Sequence, residues 1–396
     1  MTFDIVIVGG GLSGLALAAE LAQHEFSKLR VLVLEQRQTY VRDRTWSYWK
    51  TPQNPAHRYS HAERQQWRQW RVQQGGRSQV HKSASTHGQD SASTYCTLDA
   101  DAFYAAAQHA IAQSSHVQLR MGTPVRHIRE GDTPSVETRA GEVIRAAWIF
   151  DARPPLPGSS SGLVQQFMGY ELKTDSDVFD PTTVELMQFH PSAAGLHFFY
   201  VLPYSPRNAL VETTWISPAS FKPDFGAELQ KFIASLVGSA AYEVAYEERG
   251  SLCLSDAMPH RASHVAPLGR GAGTLRASTG YAFLETLDHA TKLAASLKNH
   301  LQWDDLKSWV PPAFNRIALD TWMDAVFLKV LQRDWAKCPD YFMQLFERLD
   351  ADTMVAFLSG KANWKQRLLV ARTLPVLPFA AQALTTVVGR WRGVMR

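Results

Sequence analysis

The run Asp4-Ile5-Val6-Ile7-Val8-Gly9-Gly10-Gly11-Leu12-Ser13-Gly14-Leu15-Ala16-Leu17 constrains this chain more than any other. Ile5 to Val8 is a short β-branched run of the kind buried in parallel sheets. Gly9, Gly11 and Gly14 follow in G-x-G-x-x-G spacing, and small apolar residues continue at helical period. Each glycine has a physical task. Gly9 permits a tight turn, Gly11 lets backbone approach a pyrophosphate, and Gly14 lets a helix lie close on the sheet. The helix start at Leu12 and Ser13 offers free N–H groups and a positive dipole end. A second apolar run, Val31 to Leu34, ends at Glu35, 21 residues beyond Gly14. Dinucleotide folds place a carboxylate there for a ribose 2′-OH. Strand, glycines, helix, strand and acid in this order predict a Rossmann-like βαβ unit.

The motif begins at residue 4, a position typical of FAD-binding folds, whose first βαβ unit takes the ADP half of the cofactor. An acid at position 35 disfavours a 2′-phosphate, so FAD is expected rather than NADP. No signal peptide is expected ahead of it, and Ile5 to Val8 is too short to span a membrane. A chain of 396 residues fits about two domains. Cys96, Cys253 and Cys338 are scattered, with neither metal spacing nor a disulfide framework, which fits a reducing cytosol and no metal. The formal charge of +4 is too mild to suggest nucleic acid.

Further along, Arg42-Asp43-Arg44-Thr45-Trp46-Ser47-Tyr48-Trp49 is dense in Arg and aromatics. Such a loop touches cofactor or substrate, or is a stapled surface loop. Trp67 and Trp70, at i and i+3, suggest a short helix over 61–71. Gln73 to Ser93 reads as a mobile loop or a loose hairpin. A helix is expected after Asp99, then strands at 117–121 and 125–128. The strand Ala146 to Arg153, containing Asp151, is expected to return beside the first. Pro154 to Gly162 is a candidate crossover. Four alternating segments between 164 and 216 predict an antiparallel sheet. Glu247 and Glu248 read as a solvated turn or as lining of a site. A second glycine-rich segment, Gly269 to Gly273 and Thr279-Gly280, precedes a helix from Phe283. The chain is expected to be helical from Pro312 onward.

Together these stretches resemble the FAD-dependent lycopene cyclases of carotenoid synthesis, in their bacterial branch. The resemblance is carried by Gly9 to Gly14, Thr45-Trp46-Ser47-Tyr48, Gly169-Tyr170-Glu171 with Asp180, and Phe198 to Ser205. Leu210-Val211-Glu212-Thr213-Thr214, Glu247-Glu248, Ser278-Thr279-Gly280-Tyr281, Leu328 to Leu345 and Leu374 to Phe379 continue it. Departures are Asp151-Ala152-Arg153-Pro154 after the central strand, Arg270 within the second glycine segment, and Arg276-Ala277 before Ser-Thr-Gly. The resemblance implies an α/β (α+β) fold. Its parts are a Rossmann-like FAD-binding domain (1–160, with a loop insertion at 40–95, and again 261–310), an antiparallel substrate sheet (161–260) and a helical region (311–396).

It also implies redox-neutral, acid-catalysed cyclisation of the ends of lycopene or a related linear carotenoid. Reduced FAD is the cofactor, and NADPH or NADH is the external reductant. Glu212 is the implied catalytic acid, although strand alternation alone also allows it a solvent face. Gly9, Gly11, Leu12, Ser13, Gly14, Glu35, Arg44, Thr45, Trp46, Asp151, Gly273, Thr279 and Gly280 are cofactor candidates. Tyr48, Tyr200, Tyr204, Glu247 and Glu248 are substrate candidates. A buried carboxylic acid is kept protonated by desolvation, and π faces or fixed negative charge stabilise the cation it creates.

Lycopene is a membrane solute, so a cytoplasmic enzyme held at the inner membrane face is expected. Phe379, Ala380, Leu384, Val387, Val388, Trp391, Val394 and Met395 can share one helical face. Gln382, Thr386, Gly389, Arg390 and Arg396 fall opposite. That is either an interfacial helix or a terminal helix docked on the core. The competing functions are a flavin monooxygenase or halogenase on the same fold, and a flavin-binding protein without turnover.

Overall fold

The computed structural model describes residues 2–51, 57–83, 93–154, 162–254 and 263–394, with side chains up to residue 386. Strand β1 (Thr2–Val8), helix α1 (Leu12–Leu21) and strand β2 (Val31–Leu34) form the expected first unit, with β1 and β2 parallel. Ile5, Val6, Ile7 and the whole of β2 are buried, which is why both strands read as unbroken apolar runs. A Cβ at Gly14 would overlap the Gly9 carbonyl oxygen. Only glycine lets α1 lie that close to the turn.

Strands β3 (Thr45–Lys50), β4 (Gln65–Trp67), β5 (Gln69–Gln74), β6 (Arg77–Lys82) and β7 (Thr94–Asp99) follow. The helix expected over 61–71 does not form. The chain changes sheet at Arg68, so Trp67 ends β4 while Trp70 lies in β5, and both indoles are buried. Two adjacent strands thus produce the i, i+3 pairing that suggested a helix. Gln73 to Lys82 forms the second half of a hairpin turning at Gly75, where φ is +55°. Residues 84–92 of that stretch lie outside the described residues.

Helix α2 (Ala100–Ala112) and strands β8 (Val117–Arg120), β9 (Val125–Arg129), β10 (Ser135–Thr138) and β11 (Val143–Asp151) come next. Strands β12 (Leu163–Thr174), β13 (Thr183–His190), β14 (Leu196–Ser205) and β15 (Asn208–Pro218), helix α3 (Phe225–Val237) and strand β16 (Tyr242–Leu254) build a second layer. Strand β17 (Val265–Pro267) and helix α4 (Phe283–Leu297) return to the first sheet. The chain then forms helices α5 (Trp303–Ser308), α6 (Ala318–Arg333), α7 (Cys338–Arg348), α8 (Ala351–Leu358), α9 (Trp364–Thr373) and α10 (Val376–Val394). Helix α6 starts only at Ala318, later than the expected Pro312.

Among the described residues the first sheet runs β8-β2-β1-β11-β10-β9, with β17 beside β11. β11 returns parallel to β1, as expected, and Val8 pairs with Asp151. The second sheet runs β16-β12-β15-β14-β13-β5-β6, antiparallel except where β5 joins β13. Strands β5 and β6 of the insertion therefore extend the second sheet, while β3, β7 and β4 form a three-stranded sheet of their own. Glu247 and Glu248, expected in a solvated turn or as lining of a site, lie inside β16, paired with Gly169 and its neighbour on β12. The long β12 supplies hydrogen-bond partners that outweigh the turn-like composition.

Two ion-pair groups, one part-buried and one buried, fasten these parts together. Glu171 on β12 accepts bidentate hydrogen bonds from Arg64 (2.6 and 2.8 Å) and one from Arg42 (2.5 Å), and Asp99 bridges both guanidiniums. The arginines hold the Glu171 carboxyl down at about 2 against the opposing effect of burial. Arg276 pairs with Asp324 of α6 and donates to the Phe357 and Leu358 carbonyls, so the atypical arginine anchors the glycine segment to the helical region.

Candidate active site

The glycine turn after β1 is open. Gly11 caps α1 with no side-chain hydrogen bond to the helix, and a Cβ there would meet nothing within 4 Å. Beside it Glu35 is buried. Its carboxylate accepts from the Gly10 amide at 2.6 Å and from the Arg37 amide at 2.8 Å, with the Arg37 guanidinium at 3.1 Å. Burial alone would raise its pKa, but the Arg37 contacts outweigh that and lower it, so it stands as an anion. Gly269, at φ +57°, lies against Ser13, which brings the second glycine segment to the start of α1.

From this turn a single cavity of about 1020 Å³ runs between the two sheets to the helical region. Gly9, Gly11, Leu12, Ser13, Glu35, Arg44, Thr45, Trp46, Thr279 and Gly280 line it, as do Tyr200, Glu212 and Glu248. Other candidates lie off its wall. Gly14 sits within α1, on its face toward Gly9 and Ile7. The Asp151 carboxylate turns to its own Arg153 at 2.7 and 2.8 Å. Gly273 closes a short 3₁₀ turn at φ +88°. Tyr48 stacks on Phe283 at 4.8 Å and hydrogen-bonds Glu63 and His57 in the interior of the insertion. Tyr204 is covered by Arg64, 3.6 Å from the ring centre. Glu247 points out of the sheet, paired with Arg249 and half exposed.

Glu212 sits mid-strand on β15, where alternate residues serve two layers. Ala209 and Val211 face α3 with Leu229, Phe232 and Ile233. Glu212, Thr214 and Ile216 face the cavity. Among these side chains the carboxyl is 8% exposed and accepts one hydroxyl, Thr214 Oγ1 at 2.5 Å. Burial, reinforced by the neighbouring Glu248, pushes its pKa up to about 8. Glu248 on β16 is also buried and is pushed up to about 7, mainly by burial. The rear of β15 is pinned. Thr213 Oγ1 and Trp215 Nε1 donate to Glu228 of α3, at 3.1 and 2.8 Å, and His197 stacks on Trp215 at 4.2 Å.

Three arrangements in the wall become visible only in the fold. Tyr95, Tyr200 and Tyr281 join their hydroxyls at 2.9 and 3.2 Å, and Tyr200 donates to Ser47 at 3.0 Å. Burial keeps all three phenols neutral. Gly169 separates the two carboxylate-bearing strands. Phe342 of α7 and Leu358 of α8 close the far end. Gly169, Tyr200, Tyr281 and Phe342 fall in stretches that carry the family resemblance, but their juxtaposition comes from long-range pairing.

A family model described as "Lycopene cyclase protein" matches residues 4–384. The chain belongs to the lycopene cyclase family. It is 27% identical over 399 residues to the lycopene beta-cyclase of a Paracoccus strain, covering 96% of this chain and 95% of that one. Among solved structures it is similar to a flavoprotein/dehydrogenase from Cytophaga hutchinsonii, with TM-score 0.61, 13% identity, and 98% and 100% of the two chains covered. It is also similar to a geranylgeranyl bacteriochlorophyll reductase-like protein from Thermoplasma acidophilum, with TM-score 0.59, 14% identity, and 93% and 95% covered. These likenesses establish the flavoprotein fold, a Rossmann-like sheet with a second sheet over it, that the sequence pattern predicted. In this member of the cyclase family the cavity joins the glycine turn to the buried Glu212 without a break.

Proposed function

We propose that this chain binds FAD at the glycine turn and catalyses acid-driven, redox-neutral cyclisation of the linear ends of lycopene or a similar carotenoid. The observation that carries this reading is Glu212: a carboxylic acid on the wall of a long cavity of mixed polar and apolar lining, held protonated at neutral pH by burial and a carboxylate neighbour. The resemblance to a lycopene beta-cyclase supports the same substrate class.

The cradle fits the cofactor. The open Cα of Gly11 and the uncapped start of α1 suit a pyrophosphate. The Glu35 carboxylate suits a ribose diol, which would share it with Arg37. Reduced FAD, when bound, supplies electron-rich character beside the cavity, and NADPH or NADH is the proposed reductant. The protein's own groups do the rest. Glu212 releases its proton to the terminal alkene, the apolar wall folds the chain end and excludes water, and the tyrosine faces and Glu248 favour the cation that forms. Conversion of lycopene to ring-bearing product under anaerobic, reducing conditions tests the reading. A hydroxylated or halogenated product, or flavin binding with no turnover, overturns it.

The pH dependence follows from the acid. Ring formation is expected to persist on the acid side and to fall as pH rises through about 8, where Glu212 gives up its proton. A rate that increases across that interval, measured per bound reduced flavin, contradicts the assignment.

The substrate's solubility calls for a peripheral position at the inner membrane face, and no helix among the described residues is long and apolar enough to cross a membrane. The surface available differs from the one expected. On α10 the polar Gln382 and Thr386 are buried against α6, with Lys329 donating to Thr386 at 3.0 Å, and Phe379 packs on Phe327 and Tyr341. The outward face is Val376, Leu377, Ala380 and Leu384, and α9 adds Trp364, Leu368 and Leu369 among exposed Lys361, Lys365 and Arg372. The expected roles of residues 387–396 lie outside the described side chains. Apolar groups ringed by basic residues suit an anionic lipid surface. Leu377 and Leu384 are 84% and 70% exposed. The double variant Leu377→Asp, Leu384→Asp is therefore expected to fold and to lose about tenfold in co-sedimentation with anionic vesicles. Unchanged co-sedimentation would remove this face from the account.

A further inference from the structure

Glu212 and Glu248 stand two strands apart on one face of the second sheet, with Gly169 between them. β12 pairs Gly169 with Glu212 on one side and with Glu248 on the other. A Cβ on residue 169 would lie 3.5 Å from Glu212 Cβ and 3.5 Å from Glu248 Cγ. The space a side chain would occupy is thus what the two carboxylates lean over. Each is buried, each lines the cavity, and each leaves one oxygen without a hydrogen bond among the described residues.

Two carboxylates so close in a poorly solvated site do not both ionise. Their surroundings decide which keeps the proton. Glu212 receives a single hydroxyl, from Thr214. Its neighbour on β14 is Tyr200, a phenol held neutral. Glu248 Oε2 receives Thr45 Oγ1 at 2.9 Å and Tyr246 OH at 3.1 Å. Arg42 stands beside it, 3.8 Å over the Tyr246 ring, and favours the anion more than the nearby Asp99 opposes it. Asp99 is itself bridged to Arg42 and Arg64, and Tyr204 from β14 faces the same group as a neutral phenol. Two hydroxyl donors and a guanidinium select the anion at Glu248, and the proton falls to Glu212.

We propose that Glu248 is a second acid–base carboxylate of this site, an anion coupled to Glu212 across Gly169 that keeps Glu212 loaded and takes up the proton released at ring closure. The second half rests on the cyclase reading above. Glu212 gives its proton to the terminal alkene, whose electron pair forms the new C–H bond. The pair of a second alkene closes the ring by attacking the resulting cation. The ring cation then loses a proton to Glu248, and the C–H pair becomes the ring double bond. The proton passes across Gly169 back to Glu212, so charge and oxidation state are restored.

The test uses the full chain. Infrared titration follows the carboxylic C=O band assigned to Glu212 by its loss in E212Q. In E248Q that band is expected to disappear about one pH unit or more below the wild type, while E248D, which keeps the charge, stays near the wild type. With lycopene and reduced flavin, E248Q is expected to slow cyclisation at least about a hundredfold and to yield rings with a displaced double bond. An E248Q band that titrates with the wild type overturns the coupling. Wild-type rate and wild-type double-bond position in E248Q overturn the proton uptake. If the wild type forms no ring from lycopene, the cyclase reading fails, and the infrared arm still decides the coupling.

Discussion

Replacing Glu212 with glutamine is expected to lower ring formation by about a hundred- to ten-thousand-fold, the usual contribution of a general acid. Protonating an isolated alkene places the loss toward the upper end. Glutamine preserves size and can still meet Thr214, but it carries no transferable proton. Glu212→Asp keeps the acid and draws it back by one methylene on a strand whose rear is pinned to Glu228. Its loss is expected to be smaller. Neither change should disturb flavin binding, because the glycine turn belongs to the other sheet. Product formed per bound reduced flavin is the measurement. More than about a tenth of wild-type turnover in the glutamine variant excludes Glu212 as the acid.

The second large effect is expected at Gly11. A Cβ there meets nothing of the protein, unlike Gly14, where it would overlap the Gly9 carbonyl. Gly11→Val should therefore leave the fold intact while filling the path the pyrophosphate takes. Flavin affinity is expected to drop by at least about a hundredfold, the scale of two to three kcal/mol of lost contact. Gly14→Val is expected to fail at folding instead. A folded Gly11→Val protein with full flavin absorbance would displace the cofactor from this turn.

The parts legible in the sequence are those whose chemistry is local. The turn from Gly9 to Gly14 and the acid at 35 are a contiguous motif, and their geometry follows from chain stereochemistry. The alternation from 164 to 216 gave four antiparallel strands because their patterns match the period of a sheet. Glu248 shows where that logic stops. Glu-Glu-Arg-Gly-Ser has the composition of a turn, yet β12 pairs along the length of β16, and Glu248 and Leu254 are buried while Tyr246, Gly250 and Leu252 are half-buried. The same holds for Gly169, a glycine in the middle of a strand whose value lies in what its two neighbours carry. On α10 the helical period allowed two faces, and the buried one turned out to hold Gln382 and Thr386 because α6 offers Lys329 as a partner. Position along the chain decided none of these; the partner did.

The hydrogen bonds behind β15 have a consequence for how such a site can change. A strand that slips by one residue exchanges its two faces. Here a slip would bring Val211 and Thr213 into the cavity and press Glu212 against the apolar side of α3. Thr213 and Trp215 reach Glu228 only in the observed alignment. They act as an index mark cut on the back of the strand that fixes what is displayed on the front. Cavity-facing residues such as Leu196 and Ile216 are thereby free to vary in size, and with them the shape of the polyene end that is accepted, while the acid stays in its place.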